Sequence, residues 1–227
     1  MNYESIITEL KKQRNEKNIE GMSRFGIKGN NLLGISIPYL RKTAATIKKE
    51  YRGKENELHK LALQLWDSDI HEARHLAGMI DIPELVTENQ MDKWASEFDS
   101  WDICDGVCMN IWYSLPCSHN KAIEWTNKKG EYYKRAGFAL MAVLAVKNKE
   151  LKDGDFKKFF PYLIKHATDE RNFVKKAINW AIRQIGKNRP KLKNEMIELS
   201  EKIMDKYPSS KSAKWIANGA IRELRSR

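Results

Sequence analysis

The chain has 227 residues, enough for one domain with a sizeable core, and it carries a formal net charge of +11. Hydrophobic residues make up 41% of the chain and it holds seven Trp, which excludes a disordered basic tail. Its apolar runs are shorter than the roughly 20 residues that a membrane span needs, so we do not expect the chain to cross a membrane.

The excess of basic residues is confined to the second half of the chain. Residues 1–120 hold 15 Lys and Arg against 18 Asp and Glu, whereas residues 121–227 hold 26 against 12. A surplus confined to one half indicates a face that binds a polyanion, with nucleic acid favoured over a membrane surface. A basic surface that serves only solubility is the alternative.

The N-terminal segment and the cysteines indicate a cytoplasmic protein. The segment is charged from Glu4 onward and lacks the apolar core of a signal peptide. Cys104, Cys108 and Cys117 form an odd, clustered set, which is typical of reduced thiols. Their spacing to His119 does not match a structural zinc site, so we interpret them as small core side chains.

The apolar pattern is helical nearly throughout, and no stretch alternates long enough to predict a strand. We interpret the six prolines as breaks between helices. Because no low-complexity linker divides the chain, we predict a single all-α domain over residues 1–227. The clearest helical segments are 58–68, 72–80, 134–146 and 173–185.

Five segments share a charged residue followed by a mostly apolar run, at steps of 31, 30, 41 and 38 residues. This spacing is typical of HEAT-like two-helix repeats, which stack into a curved α-α solenoid. Equivalent residues would then form a row along one face, with one carboxylate among cations. The row consists of Arg74, Asp105, Arg135, Lys176 and Lys214.

Trp101 and Asp105 lie four residues apart and share one face of a helix. An indole face attracts positive charge and a carboxylate stabilises it, so the pair suits a cationic ligand. The alternative is that Asp105 only forms an ion pair with Arg135 or Arg74. Trp180 follows Lys176 by four residues and shares its face, although a core position is the commoner fate of a Trp.

Near the helix start we expect Ser100 to act as the N-cap and Asp102 to complement the helix dipole. The remaining tryptophans that are not beside a charged row are interpreted as core. These are Trp66, Trp94, Trp112 and Trp125.

Residues 71–75 match the zinc-protease motif H-E-x-x-H, in which two His bind the metal and Glu activates a water. Arg74 lies inside the motif, where its charge opposes a dication. We therefore favour a motif that binds no metal. A third ligand could come from Glu84, Glu88 or Glu97, and nothing singles one out.

The chain resembles the AlkD-like DNA alkylation repair glycosylases, a HEAT-repeat family. The resemblance covers most of the length and is carried by four segments that occur in the family's order. They are N-L-L-G-I-S-I-P at 31–38, W-D-I-C-D at 101–105, K-R-A at 134–136 and F-V-K-K-A-I-N-W-A-I-R at 173–183.

The resemblance implies a monofunctional glycosylase that excises 7-alkylguanine and 3-alkyladenine from duplex DNA without a cofactor. We expect the protein to be a monomer. It makes Asp105 the catalytic carboxylate, with Trp101 and Trp180 as the indoles that face the lesion. It also makes Arg135 a contact to the DNA backbone. We predict further DNA contacts from Arg74, Lys176, Arg183 and Lys214.

Two positions depart from the family pattern, because Phe25 replaces a Tyr and Val143 replaces a Lys, with Lys147 four residues further on. The competing hypotheses are a non-catalytic HEAT-repeat module that binds branched or damaged DNA, a scaffold for an acidic protein, and a zinc hydrolase. Only the glycosylase needs a carboxylate within a basic row.

Overall fold

The computed structural model describes residues 1–29 and 31–226, and these residues contain helices but no strand. The all-α prediction is therefore confirmed. The α-helices are α1 (Tyr3–Lys12), α2 (Glu16–Arg24), α3 (Ile37–Glu50), α4 (Glu55–Asp67), α5 (His71–Ile80), α6 (Glu88–Ser96), α7 (Trp101–Asn110), α8 (Ser118–Trp125), α9 (Glu131–Lys147), α10 (Asp153–Lys157), α11 (Phe160–Lys165), α12 (Asn172–Asn188), α13 (Lys193–Lys206) and α14 (Lys211–Arg225). Short 3₁₀ helices are Pro83–Leu85, Trp112–Ser114 and Pro190–Leu192.

Four prolines lie at the beginning of a helix. Pro38, Pro83, Pro161 and Pro190 each lie at the first or second helical position. A proline lacks the backbone N–H, which has no partner in the first turn in any case, so these positions tolerate it. These four prolines therefore mark boundaries between helices, which confirms their interpretation as breaks between helices.

The helices pack into two compact units. The first comprises Met1–Met91 and Asp99–Leu115, and the second comprises Asp92–Phe98 and Pro116–Arg227, so the boundary passes through α6. That the whole chain acts as a single domain stays a prediction.

In the first unit, α5 is the central helix and packs against α3, α4 and α7. It buries every residue except Met79. Gly78 allows α7 to approach closely, since a Cβ at this position would lie 3.1 Å from Cγ2 of Val107. This close packing fixes α7, which carries Trp101 and Asp105, against the most buried helix of the unit.

In the second unit, α9 packs against α8 and α12, and α12 packs in turn against α14. Residues 135–145 of α9 are all buried, Val143 among them. At Gly137 a Cβ would lie 2.7 Å from the carbonyl oxygen of Ala122, so only glycine permits this approach of α9 to α8. The unit thus presents α9, α12 and α14 as neighbouring helices.

The tryptophans interpreted as core are buried, which confirms that prediction. Each has at most 1% of its surface exposed, and they are Trp66, Trp94, Trp112 and Trp125. Cys104 and Cys108 are also buried and their thiols are free of disulfides, whereas Cys117 is half-buried.

His166 in the second unit makes stability depend on pH. Its burial, followed by the charges of Lys134 and Lys165, lowers its pKa to about 4. The unfolded chain takes up this proton near the ordinary His pKa of about 6.5, so stability is complete above that pH and falls as the pH drops toward 4. Between pH 7 and pH 4.5, we expect the free energy of unfolding of His166→Gln to fall by about 1 kcal/mol less than that of wild type. This value allows for solvent screening at His166. Urea unfolding at pH 7 and pH 4.5 checks it, and an equal loss in both proteins would contradict it.

Candidate functional site

The start of α7 places Trp101 and Asp105 one turn apart on the same helix, both half-buried. The indole N–H of Trp101 donates to the carbonyl oxygen of Phe25 at 3.0 Å. Phe25 follows the last residue of α2 and is 70% exposed. A carboxylate, an anchored indole and an exposed aromatic ring therefore occur together in the first unit.

Ser100 does not cap α7 with its side chain. Ser100 occupies the N-cap position, as predicted, but its Oγ is buried and makes no hydrogen bond to any residue that the structure describes, so the expected side-chain cap is absent. Asp102 lies in the first turn, as predicted, but its carboxylate has a role that the sequence did not indicate.

The Asp102 carboxylate joins the two histidines of the H-E-x-x-H motif. Its Oδ2 accepts from Nε2 of His71 at 2.9 Å and from Nε2 of His75 at 3.2 Å. Burial opposes ionisation of Asp102, but these two hydrogen bonds outweigh it and lower its pKa. Burial likewise opposes protonation of His71, yet the bond and charge of Asp102 raise the pKa of His71, with smaller contributions from Glu72 and Asp99.

Glu72, the remaining member of the motif, is buried and supports the loop between α2 and α3. Its carboxylate accepts the backbone N–H of Leu33 at 2.9 Å, Gly34 at 2.6 Å and Ile35 at 3.3 Å. Because its oxygens hold backbone groups, Glu72 is not positioned to activate a water. The zinc-hydrolase hypothesis therefore has no general base at this position.

Arg74 is 8% exposed and makes contacts within the first unit. Its guanidinium lies 2.9 Å from Asp69 and 3.8 Å from Asp99, and it stacks over the ring of Trp66 at 5.1 Å. These contacts give Arg74 a structural role. That it binds DNA stays a prediction, and its burial does not favour it.

Arg135 and Trp180 lie in the second unit, on α9 and α12. Arg135 is 6% exposed, and its Nη1 donates to the carbonyl oxygen of Phe173 at 2.7 Å. This bond fixes the start of α12. Trp180 is half-buried, one turn after the exposed Lys176. That Arg135 contacts the DNA backbone stays a prediction, and the burial of its side chain does not favour it.

Arg183 forms an ion pair with Glu223 of α14, which Lys187 also contacts at 2.7 Å. Burial opposes ionisation of Glu223, but hydrogen bonds from Lys187 and Arg183 outweigh it and lower its pKa to about 2. The carboxylate therefore stays charged and neutralises the two cations in part. Arg183 is a weaker candidate for a DNA contact than an exposed lysine.

A groove of about 990 Å³ runs between α12 and α14. Lys176, Arg222 and Trp215 line it, and Lys176 and Arg222 are exposed. Trp215 is 47% exposed, with Nζ of Lys175 at 5.9 Å from its ring. Lys214, the last member of the predicted row, is exposed beside Trp215. Cations around an open indole ring are typical of surfaces that bind nucleic acid.

The sequence did not single out Trp215 as a functional residue, because Trp215 stands next to Ile216 in an apolar run. Ile216, Ala217 and Ala220 are buried, and Trp215 lies on the other side of the helix. Only the periodicity of α14 could have revealed that Trp215 is exposed. The apolar face of this helix is formed by residues 216, 217, 220 and 224, and residue 215 lies outside it.

A family model described as DNA alkylation repair enzyme matches residues 6–216. The chain belongs to this family. The match covers both units, so the family prediction is confirmed.

Among solved structures, one has a TM-score of 0.77 at 16% sequence identity, over 89% of this chain and 83% of that chain. It belongs to a new family of proteins related to the HEAT-like repeat DNA glycosylases with affinity for branched DNA structures. The likeness shows a HEAT-like fold and confirms that prediction. A search of curated proteins gave no significant match. Within the described residues, no helix is long and apolar enough to span a membrane.

Proposed function

We propose that this DNA alkylation repair family member is a DNA glycosylase that excises positively charged N-alkylated purines from duplex DNA. The observation that carries the proposal is the half-buried Asp105 carboxylate, one turn from the anchored indole of Trp101. The proposed substrates are 7-alkylguanine and 3-alkyladenine, and the protein acts as a monomer in the cytoplasm. No metal or cofactor takes part in the proposed reaction.

Asp105 suits the hydrolysis of a glycosidic bond to a cationic base. Alkylation at N7 or N3 gives the purine a formal positive charge, which weakens its bond to deoxyribose. As the bond breaks, positive charge passes to the sugar, and a nearby carboxylate stabilises that oxocarbenium ion and can orient the attacking water. One carboxylate is enough because the base leaves as a neutral purine without protonation, unlike the leaving group in glycoside hydrolysis.

Trp101 supports the same chemistry through its ring. The hydrogen bond to Phe25 fixes the indole, and a fixed ring face attracts a cationic nucleotide by about 0.5–2 kcal/mol. Trp180 remains a proposed second indole on the basis of the family resemblance. Phe25 offers an exposed ring without the hydroxyl of the family's Tyr.

The proposed phosphate contacts are strongest for the exposed cations of the second unit. Lys176 and Lys214 are exposed, and Arg222 adds a third cation along the α12–α14 groove. Arg135, Arg74 and Arg183 make contacts inside the protein and are weaker candidates.

A second candidate function is binding of branched DNA without excision. The structurally similar protein, described as having affinity for branched DNA, favours it, and so does the exposed Trp215 beside the groove. A binding module, however, has little use for a carboxylate beside an anchored indole.

A paired assay separates the two functions. Duplex DNA treated with a methylating agent is incubated with excess protein, and released bases are resolved by chromatography. A four-way junction is tested for binding in parallel. The glycosylase proposal expects free 7-methylguanine. Junction binding with no released base over a range of protein concentrations would contradict it.

We expect Trp215→Ala to weaken DNA binding about tenfold, because stacking on an aromatic ring contributes about 1–3 kcal/mol per base. Lys176→Ala should lower the affinity less and reduce its salt dependence, since one phosphate contact is lost. Fluorescence anisotropy with a labelled duplex at several salt concentrations measures both effects. Lys202→Ala, on α13, is the matched control. Equal affinities for Trp215→Ala and the control would refute the role of the groove.

A further inference from the structure

The H-E-x-x-H motif on α5 and the start of α7 form a cluster that the proposed glycosylase mechanism does not use. One ring nitrogen of His71, one ring nitrogen of His75 and a carboxylate oxygen of Asp102 all lie within 4.8 Å of one another. We propose that these three side chains form a structural site for a transition-metal ion of the Zn²⁺ class, which links α5 to α7.

The donor set and its spacing suit such an ion. Two imidazoles and one carboxylate are typical Zn²⁺ ligands, with bonds of about 2.0–2.2 Å. Tetrahedral ligands are then about 3.4 Å apart. The Oδ2 atom lies 2.9 Å from one imidazole nitrogen and 3.2 Å from the other, so each of these two distances would lengthen by about 0.5 Å or less when the ion binds.

The helix register explains why both histidines face the same point. His71 and His75 are four residues apart on α5, with ring centroids at 5.0 Å, so both rings project from one face. The close packing of α5 on α7 brings Asp102 to this face from a different helix. Binding would place each imidazole proton on Nδ1 and leave Nε2 to the metal.

Asp102 also has an unsatisfied oxygen. Its Oδ1 is buried and accepts no hydrogen bond from any part of the chain that the structure describes. A buried carboxylate oxygen without a partner is unfavourable, and a metal ion bound by both carboxylate oxygens would satisfy it. The Asp102 side chain is 18% exposed, whereas both histidines are nearly buried, so it provides the access for an ion and a water as fourth ligand.

The charges around the cluster favour a cation. The carboxylates of Asp99 and Glu72 both act on His71 and favour positive charge there. Arg74, whose charge opposed a metal in the sequence motif, is paired with Asp69 at 2.9 Å and lies over Trp66. The objection to a metal at this motif is therefore much weaker in the folded protein.

The site is structural rather than hydrolytic because Glu72 is committed to the backbone of residues 33–35. A metal here would hold the first turn of α7, which carries Trp101 and Asp105. The proposal does not depend on the glycosylase function, since it concerns residues outside the proposed reaction.

Metal binding to untagged, chelator-treated full-length protein tests the proposal. Zn²⁺ is titrated against a chromophoric chelator, and Co²⁺ binding is followed by its visible absorption. We expect one equivalent to bind wild type, and at least about 100-fold weaker binding to His75→Gln and Asp102→Asn. His119→Gln and Asp105→Asn should bind like wild type, because neither residue belongs to the cluster. Circular dichroism verifies that each variant folds.

Wild-type protein alone gives a second readout, independent of how the variants fold. Long-range proton–nitrogen NMR spectra of the histidine rings should show Zn²⁺-dependent shifts of Nε2 in His71 and His75, but not in His119. Absence of stoichiometric binding to wild type would overturn the proposal. Unchanged binding in both cluster variants, or shifts confined to other histidines, would do the same.

Discussion

We expect the Asp105→Asn variant to bind methylated duplex DNA as tightly as wild type and to release base at least about 100-fold more slowly. The substitution preserves the shape of the side chain and removes its charge. An amide cannot stabilise the positive charge that develops on deoxyribose, so the barrier rises while the ground-state complex is little changed. Removal of a negative charge from a surface that binds DNA leaves affinity unchanged or raises it.

Asp99→Asn is the matched control for this prediction. Asp99 precedes α7 and its side chain is 56% exposed, so its substitution also converts one acid to an amide in the same unit. We expect normal release from this variant. If Asp99→Asn and Asp105→Asn slow release equally, a general change in charge explains the effect, and Asp105 has no special role.

The largest loss of stability is expected from Glu72→Ala. The substitution leaves three backbone N–H groups, those of residues 33–35, without their carboxylate acceptor. Glu72 is buried, and removal of a buried charged partner from its hydrogen-bond donors is costly. We therefore expect the free energy of unfolding to fall by about 3–5 kcal/mol. Gly34 packs so closely in the same loop that a Cβ there would clash with the carbonyl oxygen of Asn15, which leaves this backbone little room to rearrange.

Urea unfolding followed by circular dichroism measures the effect of Glu72→Ala. Glu84→Ala, at an exposed position of the 3₁₀ helix after α5, is the control and should change stability by less than about 0.5 kcal/mol. Equal midpoints for the two variants would show that the Glu72 bonds contribute little to the fold.

The sequence pattern predicted the helical class and the register of α7 because both depend on local spacing. Trp101 and Asp105 share a face whenever residues 101–110 are helical, and that was readable from the chain alone. The repeat spacing similarly led to the HEAT-like fold. These features need no knowledge of which helices touch.

The roles that were missed depend on contacts between distant residues. The contact of Asp102 with His71 and His75 requires α5 to pack on α7, and no local pattern encodes it. Arg74 and Arg135 look like surface cations in the sequence, yet both are buried because specific acceptors lie beside them. Charge spacing identifies a row of cations, but burial decides which of them can reach a phosphate.

The rate of base release under single-turnover conditions decides whether Asp105 is the catalytic carboxylate. Wild type and Asp105→Asn are each held in excess over methylated duplex DNA, with saturation verified by anisotropy, and free 7-methylguanine is quantified over time. We expect release by wild type and a rate at least about 100-fold lower for Asp105→Asn at equal occupancy. Equal rates in the two proteins, or no release by saturated wild type, would contradict it.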